Sequence, residues 1–100
     1  MIDASKYTAH KSPGKFEGET AASEYFYEQM LNGDGEELYS DDEGGAVASV
    51  FRIDADESEA FGLPIGGYFL LREDSQGFVM GSTHATQEAA EGAFRRWCGN

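Results

Sequence analysis

The stretch Gly66–Gly81, GGYFLLREDSQGFVMG, decides the fold. Two apolar runs, Tyr68–Arg72 and Phe78–Met80, flank EDSQG, in which Asp74 and Ser75 suit a type I turn and Gly77 supplies the left-handed residue that closes it. This pattern predicts a β-hairpin. Upstream of it, AVASVFRID (Ala46–Asp54) places Val47, Ser49, Phe51 and Ile53 on one side and Ala48, Val50 and Arg52 on the other, which predicts a strand. Between the two, DADESEAFGLP offers Asp54 or Asp56 as N-cap, acids in the first turn and Pro64 as a stop, so a short helix is expected.

Two longer helices complete the pattern. Ala22, Tyr25, Phe26, Gln29 and Met30 recur at helical spacing, predicting a helix that Thr20 caps and Asn32-Gly33 ends. At the other end, THATQEAAEGAFRRWCGN predicts a helix from about Gln87 to Trp97, capped by Thr86, with Ala90, Phe94 and Trp97 on the buried stripe and Gly99 at its end. Arg95 and Arg96 fall in its last turn, where positive charge is favoured. Residues 1–15, broken by Ser12-Pro13-Gly14, read as an extended arm, and residues 16–100 as a single α+β domain. Its expected form is a small antiparallel sheet of three to four strands, including the C-terminal hairpin, packed with two main helices and one short helix.

A chain of 100 residues, 40% of them hydrophobic, can bury one core. It does so against a net charge of −12, with 19 acids opposed by 7 bases. From Glu17 to Glu91 the only bases are Arg52 and Arg72. Such a field repels nucleic acid and anionic membrane and attracts basic partners, so direct nucleic-acid binding is the first class excluded. Cys98 is the single cysteine, which rules out an intramolecular disulfide and a cysteine-based zinc site within one chain. No apolar run approaches the roughly 20 residues that span a bilayer, and the N-terminal stretch has no apolar core of signal-peptide length. The expected setting is a reducing cytoplasm.

The acids crowd most densely in NGDGEELYSDDEGG (Asn32–Gly45), which reads as a polar loop carrying Asp34, Glu36, Glu37, Asp41, Asp42 and Glu43 without one Lys or Arg. Counted from Asn32, the acids partly match a calcium loop of the EF-hand type. Glu37 stands where that loop needs Gly, Tyr39 where it usually has an aliphatic residue, and the exit reads as strand. Nothing in this segment desolvates a carboxylate for acid–base work. His10, His84 and Cys98 are scattered and form no nucleophile–base–orienter set, and no glycine pattern matches a phosphate-binding loop. The expectation is a protein that is not an enzyme, with no catalytic residues, no metal and no cofactor.

What remains is a surface to be bound. Asp54–Glu59 and Glu73-Asp74 add acids at helix starts and turns, which could converge with the first cluster at one end of a small domain. The plainest account is a self-repelling exterior, as in salt-adapted proteins. The sharper one is carboxylates occupying a basic groove meant for nucleic acid, with Asp34, Glu36, Glu37, Tyr39, Asp41, Asp42, Glu43, Asp56, Glu57 and Glu59 as partner-binding residues and Tyr27 or Tyr39 as aromatic anchors. A small-ligand or divalent-cation module and a self-associating accessory protein are the other readings.

The hairpin also carries a family likeness. Gly66-Gly67-Tyr68, followed by Gly77-Phe78 and Met80, resembles the GGYW…GGFYM hairpin of ArdB/KlcA-type anti-restriction proteins, over about sixteen residues. In character the chain is similar to phage-encoded inhibitors of bacterial defence, including anti-CRISPR proteins, which are small, acidic and without a catalytic motif. That resemblance implies a non-enzymatic inhibitor acting on a basic, nucleic-acid-binding partner in the host cytoplasm. No site residue is carried over from it.

Overall fold

Phe69, Leu70 and Leu71 run without a polar alternate, so a strand built from them must be covered on both faces. The computed structural model, which describes residues 2–3, 16–17, 20–40, 46–74 and 78–97, covers both. In chain order the elements are β1 (Phe16–Glu17), α1 (Thr20–Leu31), β2 (Glu36–Ser40), β3 (Val47–Arg52), α2 (Ala55–Phe61), β4 (Tyr68–Glu73), β5 (Val79–His84) and α3 (Gln87–Trp97). The sheet order is β1-β5-β4-β3-β2, in which β2 to β5 form an antiparallel meander and β1 pairs parallel to β5 at the far edge. The architecture is α+β, as the sequence pattern predicts.

Register sorts the side chains between the two faces. Phe51 lies opposite Phe69, and Ser49 opposite Leu71, which in turn faces Gly81 across β5. Against this face α1 packs Ala22 and Phe26, joined by Ile53, Leu63 and Val79. The Phe26 ring sits 4.5 Å from Phe69, stacked, and 4.8 Å from Phe51. The opposite face carries a smaller core of Val50, Leu70 and Ala90, flanked by Leu38, Tyr68, Ala93 and Phe94 and roofed by α3. Arg72 belongs to this second face. Its guanidinium carbon stands 5.9 Å from the Trp97 ring centroid, its Nε has no hydrogen-bond partner among the described residues, and burial lowers its pKa.

The short helix owes its start to a reciprocal cap. Asp54 accepts the Glu57 N–H at 2.8 Å while Glu57 accepts the Asp54 N–H at 3.0 Å, satisfying two backbone donors at once. Its end differs from expectation. Gly62, left-handed at φ 69°, closes the helix before Pro64 is reached. The last helix has the predicted bounds, and Thr86 Oγ1 accepts the Ala89 N–H at 3.1 Å.

Three expectations are corrected. The acidic stretch is not one loop, since Glu36–Ser40 forms an edge strand hydrogen-bonded to β3. The hairpin strands run longer than the apolar residues that announce them, to Glu73 and from Val79 to His84, because Tyr68 needs His84 as its cross-strand partner. A two-residue parallel strand, β1, precedes α1. The arm from residue 4 to residue 15, the hairpin tip at 75–77, the Thr20 side chain, Asp41–Glu43, His10, Cys98 and Gly99 lie outside the described residues.

α1 lies so close to β5 that a Cβ at Gly81 would fall 2.5 Å from Phe69 Cζ and would collide with Ser23 Oγ. Neither neighbour can withdraw, because Ser23 and Phe69 are both fully buried. Gly81→Ala is therefore expected to destabilise the protein by about 1–3 kcal/mol, the usual cost of overpacking a tight core, and urea denaturation followed by Trp fluorescence measures it.

Candidate protein-binding edge

β2 begins where α1 is forced to stop. Gly33 N–H donates to the Met30 carbonyl at 3.0 Å and Asp34 N–H to that of Gln29 at 2.9 Å, turning the chain back along the sheet. Gly35 follows at φ 86°, and a Cβ there would lie 2.5 Å from the Phe51 ring, so both backbone angle and space require glycine. The strand then pairs Glu36 with Val50, Glu37 with Ser49, Tyr39 with Ala48 and Ser40 with Val47. Leu38 is the extra residue of a β-bulge, and it packs against the second core.

The rest of the strand faces water. Asp34, Glu36, Glu37, Tyr39 and Ser40 are exposed, Tyr39 to 42%, with its ring 6.3 Å from Phe94 of α3. Glu36 is tied to the start of α3, accepting from Gln87 Nε2, which also donates to Glu91 Oε2 at 3.1 Å. On α2, Asp54, Asp56 and Glu59 are exposed. Asp56 and Glu59 border a small recess with Ile2 and Ala60.

One acid of each segment, Glu36 and Glu57, lines an open cleft of about 400 Å³. Its walls include Gly35 and Glu36 from β2, Arg52 from β3, Glu57 from α2, Tyr68 from β4 and Gln87 from α3. Arg52 and Tyr68 are cross-strand partners there, and Arg52 is the only base among the lining residues. Of the expected contact acids, Glu36 and Glu57 border this cleft, whereas Asp56 and Glu59 border the separate recess. Glu73 lies elsewhere, its Oε2 accepting from Tyr27 OH at 3.2 Å, and Asp74 accepts the Phe78 N–H at the hairpin turn.

Two expected contact residues are placed differently. Tyr27 is half-buried against the first core, and burial together with the adjacent Glu73 carboxylate raises its pKa, so it serves packing more than display. Glu57 is only 7% exposed. One carboxylate oxygen completes the α2 cap and the other accepts from Tyr25 OH at 2.9 Å. Burial raises the Glu57 pKa, the two hydrogen bonds oppose the shift, and the neighbouring Asp54 and Asp56 charges add to it. Arg52, Tyr68 and Gln87 were absent from the sequence-derived set. The first two follow once β3 and β4 are paired in register, whereas Gln87 has no sequence signal.

Among the described residues no three or more His, Cys, Asp or Glu are grouped to hold a metal ion. Ser82 Oγ and His84 Nε2 stand 2.7 Å apart, as two residues on one face of a strand readily do. Neither lines the cleft. No described helix is long and apolar enough to cross a membrane. No protein-family model matches the chain, and no curated protein or solved structure matches it significantly.

The buried carboxyl has a measurable signature. Because the folded state raises the Glu57 pKa, the native protein holds that proton to higher pH than the unfolded chain, and stability falls as pH rises from the unfolded value through the folded one. Glu57→Gln keeps an acceptor for the Asp54 N–H and removes the ionisation. The difference in unfolding free energy between the variant and the parent should grow in the variant's favour across that weakly acidic window, as measured by urea denaturation at a series of pH values.

Proposed function

We propose that this protein is a non-enzymatic acidic binding protein that inhibits or modulates a nucleic-acid-handling protein by filling its basic groove with carboxylates in place of phosphates. The observation that carries the reading is that one acid of each segment, Glu36 of β2 and Glu57 of α2, borders the same cleft, while Asp34, Glu37, Asp54, Asp56 and Glu59 are exposed. Successive side chains of a strand turn to opposite faces, so Glu36 and Glu37 present a negative charge on each side of β2. Tyr39, exposed beside them, supplies the aromatic surface that protein interfaces favour. The resemblance in type to anti-restriction and anti-CRISPR inhibitors supports the same partner class, a DNA- or RNA-binding defence complex in a host cytoplasm.

The test is capture from a nuclease-treated bacterial lysate containing such complexes, using the immobilised protein, rising salt and elution with DNA. A nucleic-acid-binding protein should be retained at low salt and released by DNA. Replacing Asp34, Glu36, Glu37, Asp56 and Glu59 by their amides should weaken capture at least about tenfold and flatten its salt dependence, with the circular dichroism spectrum unchanged. Equal capture by the neutralised variant overturns the assignment of this edge.

A further inference from the structure

β2 is the last strand of the sheet, and no described strand pairs with its outer side. In an antiparallel ladder alternate residues turn their N–H and C=O groups away from the neighbour, so an edge strand presents donors and acceptors to any extended chain that can approach. We infer that β2 is a docking strand, and that the partner's contact is an extended basic segment that pairs with this edge and prolongs the sheet. The inference rests on the reading above and specifies how the basic partner is held.

Charge selects the occupant. A second copy would bring another net −12 and another Asp34–Glu37 edge against the first, which opposes self-pairing. Glu36 lies on the α3 side of the sheet, as its bond to Gln87 shows, while Glu37 pairs with Ser49 on the α1 side. Consecutive Lys or Arg side chains on an added strand alternate between the same two faces and meet an acid on each, at the roughly 4.5–5.5 Å separation of cross-strand neighbours. At the Gly35 end the strand borders the cleft, where a long cationic side chain of the added strand can bring its head to Glu36. The Leu38 bulge and the acids also discourage indiscriminate pairing, so the edge favours a basic strand over an arbitrary one.

The experiment uses the full chain and a short Lys-rich peptide, with two further peptides of the same sequence N-methylated at one or the other alternate set of backbone amides. Affinity is read by fluorescence anisotropy at low and moderate salt, and β2 amides are followed by hydrogen exchange. The parent peptide should bind with salt-dependent affinity, slow exchange at alternate β2 amides, and lose most of its affinity in Glu36→Gln/Glu37→Gln. One methylated peptide should bind about tenfold more weakly than the other, because only one set of amides faces the edge. If both methylated peptides bind as the parent does while the double variant still loses binding, edge pairing is overturned and the electrostatic reading stands. If no peptide binds at low salt, both are overturned. Concentration-dependent dimerisation in sedimentation, with β2 amides slowed in the absence of peptide, overturns the basic occupant in favour of a second copy.

Discussion

The fold depends on how closely α1 can approach the sheet. Phe26 must lie flat on Phe69 and against Phe51, and it reaches them only because Gly81 leaves no side chain beneath Ser23. A helix held that near excludes water from the central strands, which is where most of the apolar area of a small domain has to be buried. The same stack fixes the register of β3 against β4, since Phe51 and Phe69 are directly opposed and one ring covers both. A one-residue slip would carry Phe51 and Ile53 to the α3 side and Arg52 under α1, so the packing admits a single pairing.

With one face closed in this way, the other is closed more lightly. Its core of Val50, Leu70 and Ala90 is completed by half-buried aromatics, and a charged side chain, Arg72, shares it by laying its guanidinium over Trp97. Both outer edges stay short: β1 has two residues and β2 has five with a bulge. Sheets end safely in such strands, because a brief, bent and charged edge is a poor template for indiscriminate addition.

Much of this was legible in the chain, and the failures share a cause. Helix boundaries were readable where chemistry specific to a terminus marks them, as at Thr86 and Asp54. The central strands were readable because Phe51, Phe69, Leu70 and Leu71 are apolar in a pattern that only burial explains. β2 escaped because an exposed edge strand has almost nothing to bury. Leu38 alone turns inward, the bulge removes the period of two, and Glu36 and Glu37 have the composition of a loop. The polar end of β5, Ser82 to His84, escaped for the same reason: its place is set by pairing with Tyr68–Leu70, and Thr83 alone among its side chains favours a strand. In the candidate site, the acids were legible as charge, while the one that burial sets apart, Glu57, was not. The spacing Asp54-x-x-Glu57 allows a capping box, but nothing in ADESEAF says that this acid also meets Tyr25, a residue from another helix.

That distinction bears on what the acidity is for. Charge on an edge strand discourages indiscriminate addition, and the same charge suits a basic partner. Here Asp34, Glu36 and Glu37 lie on or beside a strand whose outer side no described strand pairs with. Charge and hydrogen-bonding capacity therefore coincide at one place. On the proposed reading, long-range attraction without direction would bring a basic chain near, and directional backbone pairing would hold it in register once there. Carboxylates on a strand whose bulge is pinned to the core by Leu38 are preordered in a way that those of a free loop are not, which lowers the entropic cost of presenting them to a partner.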